Sequence, residues 1–365
     1  MKIIHVFTHM NYVYTEALIN LFSKHCSEAN QVFFICDKQE NLPEAIRKAA
    51  GVDPCIRCAG TLDLKALACR MIACIEESDY TVFHFLPNNI YFHALLSLRP
   101  RLYSKIIWRI WGADLYHWRK EGIEGLLLNR LRGRTRKRIG YVIAYPMDKE
   151  AYIKQFGNRA MFIDGPNPVG YDVAGLEHAR PLDKDDCVNI LLGHSAVKTL
   201  GHQEMLDRLW VYRDNNIRIH LPMNYGDPKY AKEVYDYAVT RFSPEKIHLI
   251  REKLNISDYM KLLWKCDIAI IHSDRQIAMG NITMLMYMRK KLYLKRGSVM
   301  DRYYREQEGL QIYDSNTIGD NEFDVFAYHE DSGVNRDFAI REIDENRIAS
   351  AWKKTYQFFV SQCDN

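Results

Sequence analysis

The stretch His272-Ser-Asp-Arg275-Gln276-Ile-Ala-Met-Gly280-Asn281-Ile-Thr283 joins an apolar strand to a helix, and the interpretation of the whole chain starts from it. The strand before it ends at Ile271, and the helical run after it begins at Met284. A glycine-containing turn that opens a helix leaves backbone N–H groups free, and the helix dipole favours an anion there. Arg275 adds a positive charge. The stretch therefore predicts a phosphate-binding loop carried by Arg275, Gln276, Gly280 and Asn281.

Short apolar strands alternate with helix-length polar segments on both sides of this loop. We expect strands at 189–195, 218–222, 266–271 and 291–294. This succession of strand and helix predicts a mostly parallel sheet. Open sheets of that kind bind ligands at the carboxyl ends of their strands. Gly193 and Ser195, which close the first strand, should therefore face a nucleotide-diphosphate site.

The N-terminal half repeats the same α/β pattern. Candidate strands lie at 3–7, 32–36, 81–85, 106–111 and 141–144, with helices at 14–25 and 64–76 between them. Apolar residues at helical spacing near the C-terminus predict a closing helix. The resulting domain prediction is 1–168 for an N-terminal Rossmann-like domain, 169–187 for a linker, 188–344 for a second Rossmann-like domain and 345–365 for the closing helix.

Composition excludes several classes of protein. Of the 365 residues, 47% are hydrophobic and 26% charged, as in ordinary folded domains. No window approaches the ~18 consecutive apolar residues that span a bilayer, and the N-terminus lacks a signal-peptide pattern, so we expect a cytoplasmic protein. The nine cysteines include a single CxxC, Cys55 to Cys58, without a second ligand pair. Incidental reduced thiols are therefore favoured over a zinc or redox site.

Several segments resemble one family of bacterial enzymes. The segments at 108–116, 190–195, 221–227, 259–267 and 275–281 are similar, in the same order, to those of the TDP-N-acetylfucosamine:lipid II N-acetylfucosaminyltransferases, glycosyltransferase family 56. The resemblance implies a GT-B fold, in which two Rossmann-like α/β domains face each other across a cleft. It also implies transfer of 4-acetamido-4,6-dideoxygalactose from a TDP-sugar to an undecaprenyl-diphosphate-linked glycan, as in enterobacterial common antigen assembly.

Further donor-site candidates follow the first two strands of the second half. His202 and Glu204 lie in the first helix, where a sugar contact and an ordinary exposed face are both open. Tyr225 and Gly226 follow the second strand, and Tyr259 precedes the third. A tyrosine ring could stack on the nucleotide base, although half-buried packing is the common role of such a residue. The sequence does not separate TDP from UDP as the carrier.

No cofactor or metal ion is predicted beyond the nucleotide sugar. The single Asp-x-Asp motif, Asp183-Lys-Asp185, falls in the predicted linker, where a solvated charge cluster is the simpler interpretation. We therefore expect a metal-independent reaction. Positive charge for the departing diphosphate would come from side chains and helix ends.

Asp114 is the leading candidate for the catalytic base. It follows the apolar strand 106–111, and the neighbouring tryptophans could raise its pKa. The alternative is that Asp114 only caps the helix that begins at Leu115. His84, at the end of another strand, and His5 are second choices, with a structural role as the alternative for each.

One basic segment stands out between Leu126 and Arg138, with no acidic residue in it. Basic side chains interleaved with leucines suit an anionic membrane surface, and the lipid-linked substrate of the resembling family suits the same surface. The alternatives are a solvated helix face and, less favoured, nucleic-acid binding. The predicted membrane-facing residues are Arg130, Arg132, Arg134, Arg136, Lys137 and Arg138.

The leading function is an inverting glycosyltransferase that acts as a peripheral protein at the cytoplasmic face of the membrane. A retaining GT-B enzyme commonly carries paired glutamates in the donor loop, yet no glutamate occurs between Glu252 and Glu306. Three more candidate functions stay open: a GT-B enzyme that uses a UDP- or GDP-sugar in O-antigen or capsule synthesis, a GT-B-fold nucleotide-sugar epimerase, and a non-catalytic nucleotide-sugar-binding partner. Nucleic acid is not an expected ligand.

Overall fold

In a computed structural model, the chain divides into two units, Met1–Gly170 with Asp344–Asn365, and Tyr171–Ile343. The residues described are 1–8, 12–26, 29–119, 121–163, 165–166, 173–181, 186–331 and 333–363. Asp183 and Asp185 lie outside them. Each unit is built on one parallel sheet, as the predicted α/β class requires.

The sheet of the first unit has seven parallel strands in the order β3-β2-β1-β4-β5-β6-β7. Its inner strands are buried on both faces because helices cover both, and most of their side chains are apolar. Ile4 and Val6 of β1 point into one core layer, while Ile3 and Phe7 point into the other. The strands are β1 (Lys2–Phe7), β2 (Asn30–Ile35), β3 (Ile56–Cys58), β4 (Tyr80–His84), β5 (Ile106–Arg109), β6 (Tyr141–Ile143) and β7 (Met161–Ile163).

In the described part of the first unit, eight α-helices accompany this sheet. They are α1 (Tyr12–His25), α2 (Glu44–Val52), α3 (Leu64–Glu77), α4 (Ile90–Ser97), α5 (Ala113–Tyr116), α6 (Ile123–Arg138) and α7 (Pro146–Phe156), with the closing helix, α16 (Glu345–Cys363), returning from the C-terminus. In α16 the predicted stripe of Ile348, Trp352, Tyr356 and Phe359 is fully buried. The Trp352 indole N–H also donates to the carbonyl of Pro166 (2.9 Å). This closing helix belongs to the first unit.

The sheet of the second unit has six parallel strands in the order β10-β9-β8-β11-β12-β13. Its core forms where the strands meet helices that pack on them through buried aliphatic side chains. The strands are β8 (Val188–Leu192), β9 (Ile217–Pro222), β10 (Ile247–Ile250), β11 (Ile268–Ile271), β12 (Lys291–Leu294) and β13 (Tyr313–Asp314).

The helices of the second unit include one inside the predicted linker. They are α8 (Val173–His178), α9 (His202–Leu209), α10 (Pro228–Arg241), α11 (Ile256–Lys265), α12 (Met279–Tyr287), α13 (Val299–Asp301), continued by a π-helix (Arg302–Gln307), α14 (Phe323–Ala327) and α15 (Val334–Ile343). In α8, Leu176 is buried and its carbonyl accepts a hydrogen bond from the Trp264 indole N–H (2.7 Å). This part of 169–187 is therefore folded onto the second unit.

Both sheets reverse their strand order at one point, between β1 and β4 and between β8 and β11. Chain connections leave the sheet in opposite directions on the two sides of such a point, so a crevice opens beyond the carboxyl ends of the strands. In the second unit this position holds Gly193 and His272. In the first unit it holds Thr8 and His84.

Candidate functional site

The turn after β8 brings the backbone against the start of α9. Gly193 has a left-handed φ of 70°, and a Cβ placed there would lie 2.4 Å from Nε2 of His202. Its N–H donates to the carbonyl of Ile270 in β11 (2.9 Å). Only glycine satisfies both the dihedral angle and the close contact. The predicted residue Gly193 therefore fixes the geometry of this strand end.

Two buried histidines line this turn. A hydrogen bond joins Nδ1 of His202 to the Tyr230 hydroxyl (3.2 Å), and the His194 ring lies 5.7 Å from that of Tyr225. Burial lowers the pKa of His202 to about 4, and burial, with the nearby His202 and Arg275, lowers that of His194 to about 3. Both rings are therefore neutral at pH 7. The predicted residue Ser195 is buried beside them, with its hydroxyl 3.4 Å from Nε2 of His194.

A third histidine, His272, follows β11 directly. Its Nδ1 is hydrogen-bonded to the Ser315 hydroxyl (2.8 Å), and its Nε2 lies 3.4 Å from a carboxylate oxygen of Glu204. Burial lowers the pKa of His272, and the carboxylate of Glu204 opposes that shift. Gly201, with φ 59°, passes so close that a Cβ would lie 2.8 Å from the His272 ring. Glu204 thus belongs to the cluster and does not occupy an isolated surface position.

The phosphate loop follows the predicted plan with one change. Arg275 donates from its guanidinium to the carbonyl of Gln276 (3.1 Å), and its charge acts on His194. The left-handed residue before α12 is Ala278 (φ 60°), whereas Gly280 and Asn281 already lie in the first helical turn. The helix therefore begins at Met279, earlier than the expected Met284, and the N–H groups of Gly280 and Asn281 lie in its first turn. Because alanine has no polar side-chain atom, Ala278 does not cap the first turn of α12. The backbone N–H groups of a first helical turn have no partner inside the helix.

The loops after β8 and β9 are held together by backbone hydrogen bonds. The N–H of Ala196 donates to the carbonyl of Tyr225 (2.8 Å), and that of Asp227 donates to Ala196 (2.9 Å). Gly226, with φ 105°, sits where a Cβ would come within 2.5 Å of the Ala196 carbonyl oxygen. The Tyr225 side chain is 54% exposed beside His194, so its ring offers a face for stacking.

The predicted donor residues thus gather at one edge of the second sheet. Tyr259 also lies at this edge but follows β10, two strands away from β8. The cluster contains Gly193, Ser195, His202, Glu204, Tyr225, Gly226, Arg275, Gln276, Gly280 and Asn281. Sequence reasoning did not single out His194, His272, Tyr230 and Ala278. The two histidines each follow a strand end, and that position was a usable signal.

In the first unit, His84 ends β4 inside a chain of buried polar groups. Its Nε2 is 3.0 Å from Nδ1 of His5, whose Nε2 is 2.8 Å from the Tyr356 hydroxyl on α16. Among the described residues, Nδ1 of His84 has no hydrogen-bond partner. Burial lowers the pKa of His5 to about 3 and that of His84 well below its ordinary value. Both rings are neutral at pH 7.

Asp114 lies at the same sheet edge but is enclosed. One carboxylate oxygen accepts from the Trp108 indole (2.6 Å) and from the N–H of Leu86 (3.1 Å), and the other accepts from the N–H of Trp111 (3.0 Å). The side chain is 1% exposed, and burial raises its pKa against these hydrogen bonds. The residue that caps α5 is Gly112, so the prediction of Asp114 as N-cap is wrong. Asp114 ties together the loops that follow β4 and β5, and its catalytic role stays a prediction.

The basic segment forms α6, and two of its six cations face inwards. The Arg136 guanidinium lies over Trp108 and Trp118 (5.1 and 5.2 Å) and donates to the carbonyl of Asp114 (3.1 Å). Arg132 donates to the carbonyl of Trp118 (2.8 Å). The prediction that Arg132 and Arg136 face a membrane is therefore wrong, because both are buried and hydrogen-bonded to backbone.

The other four cations of α6 remain available at the surface. Arg130, Arg134 and Lys137 are exposed, and Arg138 is half-buried over the Tyr103 ring (5.9 Å). Within the described ranges, no helix is long and apolar enough to cross a membrane.

The described residues contain no group of three or more His, Cys, Asp or Glu side chains that could hold a metal ion. Cys55 and Cys58 are free thiols beside and within the edge strand β3, and burial raises the pKa of each. A raised pKa disfavours the thiolate that redox and metal chemistry require.

Several solved structures share this fold over nearly their whole length. Anabaena HepE, in complex with UDP and glucose, matches with a TM-score of 0.67 and 14% identity over 98% of this chain and 99% of its own. Sucrose-phosphate synthase from Thermosynechococcus elongatus matches at 0.68 and 10% over 99% and 100%. UDP-GlcNAc 2-epimerase from Neisseria meningitidis, bound to UDP-GlcNAc, matches at 0.56 and 13% over 99% and 100%.

The fold is thus the GT-B fold of two Rossmann-like domains, which glycosyltransferases and nucleotide-sugar epimerases share. A family model distinguishes between these two classes of enzyme. The model matches residues 2–325 and is described as 4-alpha-L-fucosyltransferase, glycosyl transferase group 56. The chain belongs to that family and is a glycosyltransferase.

Proposed function

We propose that this enzyme transfers a 4-acetamido-4,6-dideoxygalactose residue from a TDP-sugar to a polyprenyl-diphosphate-linked glycan. The observation that carries the proposal is the uncapped start of α12 with Arg275 before it, at the switch point of the second sheet. A diphosphate there meets first-turn N–H groups, the positive end of the helix dipole and a guanidinium. The sugar and its carrier are those of the family that the sequence segments resemble.

Leaving-group stabilisation is the chemical task of this site. As the bond between the anomeric carbon and the diphosphate breaks, negative charge grows on the phosphate oxygens. Fixed donors at the α12 N-terminus and at Arg275 stabilise that charge more strongly than they stabilise the bound donor sugar. The neutral His194 and His202 offer N–H groups or lone pairs without adding a full charge. We propose that this arrangement works without a metal ion and inverts the anomeric configuration.

The base and the acceptor belong to the first unit in this proposal. Both predicted bases are enclosed, since His84 and Asp114 are 2% and 1% exposed. Burial lowers the pKa of His84 and so disfavours uptake of a proton, whereas burial raises the pKa of Asp114. Asp114 is therefore the proposed base, and His84, whose Nδ1 has no hydrogen-bond partner among the described residues, is the second choice. Arg130, Arg134, Lys137 and Arg138 would hold the enzyme at the anionic cytoplasmic face of the membrane, where a lipid-linked acceptor resides.

The test is to incubate purified enzyme with TDP-, UDP- and GDP-sugars, with and without a polyprenyl-diphosphate glycan, in excess EDTA. We expect glycan extension from the TDP-deoxyamino sugar with inverted configuration at the new bond. Extension only from a UDP- or GDP-sugar would reject the proposed donor. Epimerised donor without extension would assign an epimerase, and activity that returns only with Mg²⁺ or Mn²⁺ would reject the metal-free mechanism.

A further inference from the structure

A basic pocket lies in the first unit between α6 and α7. It has a volume of about 410 Å³, within the ~300–1,000 Å³ usual for ligand sites. Five cations line it, contributed by α6 and by the segment before it: Arg119, Arg130, Arg134, Lys137 and Arg138. Among the described residues that line it, none carries a carboxylate. The remaining walls are the rings of Trp118 and Phe156, with Gly133, Asn129 and Gln155.

The charge of this pocket is uncompensated within the described part of the chain. None of the five cations forms an ion pair there: Arg119 and Arg138 lie over the rings of Trp118 and Tyr103 (5.1 and 5.9 Å). Arg134 has Arg130 one turn before it and Arg138 one turn after it, and like charges at that spacing repel. The α6 dipole stabilises cations in the last turn, which accounts for Lys137 and Arg138 but not for Arg119 or Arg130.

The pocket is separate from the predicted catalytic residues of the first unit. Lys137, Arg138 and Phe156 belong to the last turns of α6 and α7, just before β6 and β7 begin. These helix ends therefore lie at the amino edge of the sheet. His84 and Asp114 lie at the carboxyl edge, after β4 and β5.

We propose that the pocket between α6 and α7 binds a phosphate-bearing ligand through Arg119, Arg130, Arg134, Lys137 and Arg138. Several guanidinium groups around one concave site provide the forked N–H donors that match phosphate oxygens. The aromatic wall of Trp118 and Phe156 excludes water from one side and so strengthens those bonds. Leu126 and Leu127 on the same helix are 69% and 60% exposed. A lipid headgroup and a free phosphate compound share this chemistry, and the lipid source rests on the membrane association proposed above.

Gly133 allows the pocket to be filled without any change of charge. A Cβ at this position would lie 3.4 Å from the Trp118 ring, in ordinary contact, so Gly133→Ala should fold and keep the pocket open. Gly133→Met would extend into the pocket, with all five cations retained. The charge-removing variant is Arg130→Gln with Arg134→Gln and Lys137→Gln. Its matched control removes three exposed cations elsewhere in the first unit, by Lys65→Gln, Arg70→Gln and Arg101→Gln.

The experiment is calorimetric titration with inorganic diphosphate in excess TDP, which occupies the proposed donor site, followed by flotation with phosphatidylglycerol and phosphatidylcholine vesicles. We expect at least tenfold weaker diphosphate binding for Gly133→Met and for the charge-removing variant, with melting temperatures near that of the parent. Gly133→Ala, the control variant and Arg275→Ala should bind as the parent does. Diphosphate binding by Gly133→Met at parental strength would overturn the proposal.

The vesicle arm identifies the source of the phosphate. Loss of binding to phosphatidylglycerol vesicles by Gly133→Met assigns the pocket to a lipid headgroup. Retained vesicle binding alongside lost diphosphate binding assigns it to a free phosphate compound. Because Arg275→Ala changes the proposed donor site alone, failure of the glycosyltransfer proposal would leave these results unchanged.

Discussion

The two sheets place histidines at the same topological position but surround them differently. At the β1–β4 switch point, His5 is hydrogen-bonded to both His84 and Tyr356, and the nearby Asp114 accepts three hydrogen bonds. At the β8–β11 switch point, glycines allow the backbone to approach neighbouring residues closely. Arg275 and the uncapped start of α12 follow there. At the first edge the Asp114 carboxylate and the His5 ring have partners within the protein, and Nδ1 of His84 has none among the described residues. At the second edge the first turn of α12 has no side-chain cap. The same topology thus carries polar groups that are paired differently at the two edges.

Arg275→Ala should produce the largest effect, because it removes a full charge from the second edge. We expect kcat/KM to fall by ~10²-fold or more, as when one electrostatic stabiliser is removed from an active site. Steady-state kinetics with the donor varied would measure it. Arg213→Ala, a half-buried arginine just before β9 at the opposite edge of the same sheet, is the matched control and should keep full activity. Equal activity of the two variants would remove Arg275 from the site.

Asp114→Asn tests whether the first edge is held together from within. The new amide group would face the donors Trp108 or Trp111, so we expect a loss of ~1–3 kcal/mol in the free energy of unfolding. Urea denaturation measures that loss, and turnover per folded enzyme is measured beside it. Unchanged stability with a steep fall in turnover would instead support Asp114 as the base.

Acid should destabilise both units through their neutral histidines. The folded-state pKa is about 3 for His5 and His194 and about 4 for His202, against 6.5 for an ordinary histidine. Below pH 6.5 the unfolded chain therefore binds more protons than the folded one, and stability falls as pH decreases from 6.5 towards 4. Each histidine contributes a slope of about 1.4 kcal/mol per pH unit. Urea denaturation across this range measures the slope, and His5→Gln or His202→Gln should reduce it by one proton. A urea midpoint that does not change between pH 6.5 and 4 would contradict the conclusion that these histidine rings are buried in the neutral form.

Gly193→Ala and Gly157→Ala separate backbone strain from contact. Both glycines have positive φ, 70° and 86°, but only Gly193 has a neighbour within 4 Å of its added Cβ. We expect Gly157→Ala to cost about 1 kcal/mol from the left-handed conformation alone. Gly193→Ala should cost more and also weaken nucleotide binding, because His202 must move. Equal melting temperatures and unchanged nucleotide binding would show that the β8 turn tolerates a side chain.

The sequence predicts the interior of both sheets and misses their edges. All nine predicted strands are present, while the four that were not predicted, β3, β7, β10 and β13, are the outermost strands of the two sheets. Edge strands pair on one side only and are partly exposed, as in the pattern of β7, so their apolar runs are short. Hydrophobic runs identify strands that are buried on both faces, and they weaken wherever one side meets solvent.

The candidate site shows the same limit at the scale of single side chains. Positions at strand ends follow from periodicity, which is why Gly193, Arg275 and His84 could be identified. Burial of a polar side chain depends on partners that are distant in sequence. The buried positions of Arg136, beside two tryptophans, and of Asp114, which accepts from the N–H of Leu86, could therefore not be predicted from the sequence. A run of arginines looks uniform in sequence, although helical geometry turns two of them, Arg132 and Arg136, which are four residues apart, into the core.

The hydrogen bonds of Asp114 and Arg136 should slow the exchange of nearby backbone amide hydrogens with solvent. Leu86 and Trp111 lie in loops outside the strands. Backbone amide hydrogens of loops ordinarily exchange with solvent quickly, because loops open locally without unfolding of the whole unit. Their N–H groups donate to a carboxylate that is itself enclosed, and Arg136 holds the adjacent backbone through the carbonyl of Asp114. Deuterium should therefore enter at these two loop amides as slowly as at the central strands β4 and β5. The loops that follow those strands then open only when the unit that carries them opens.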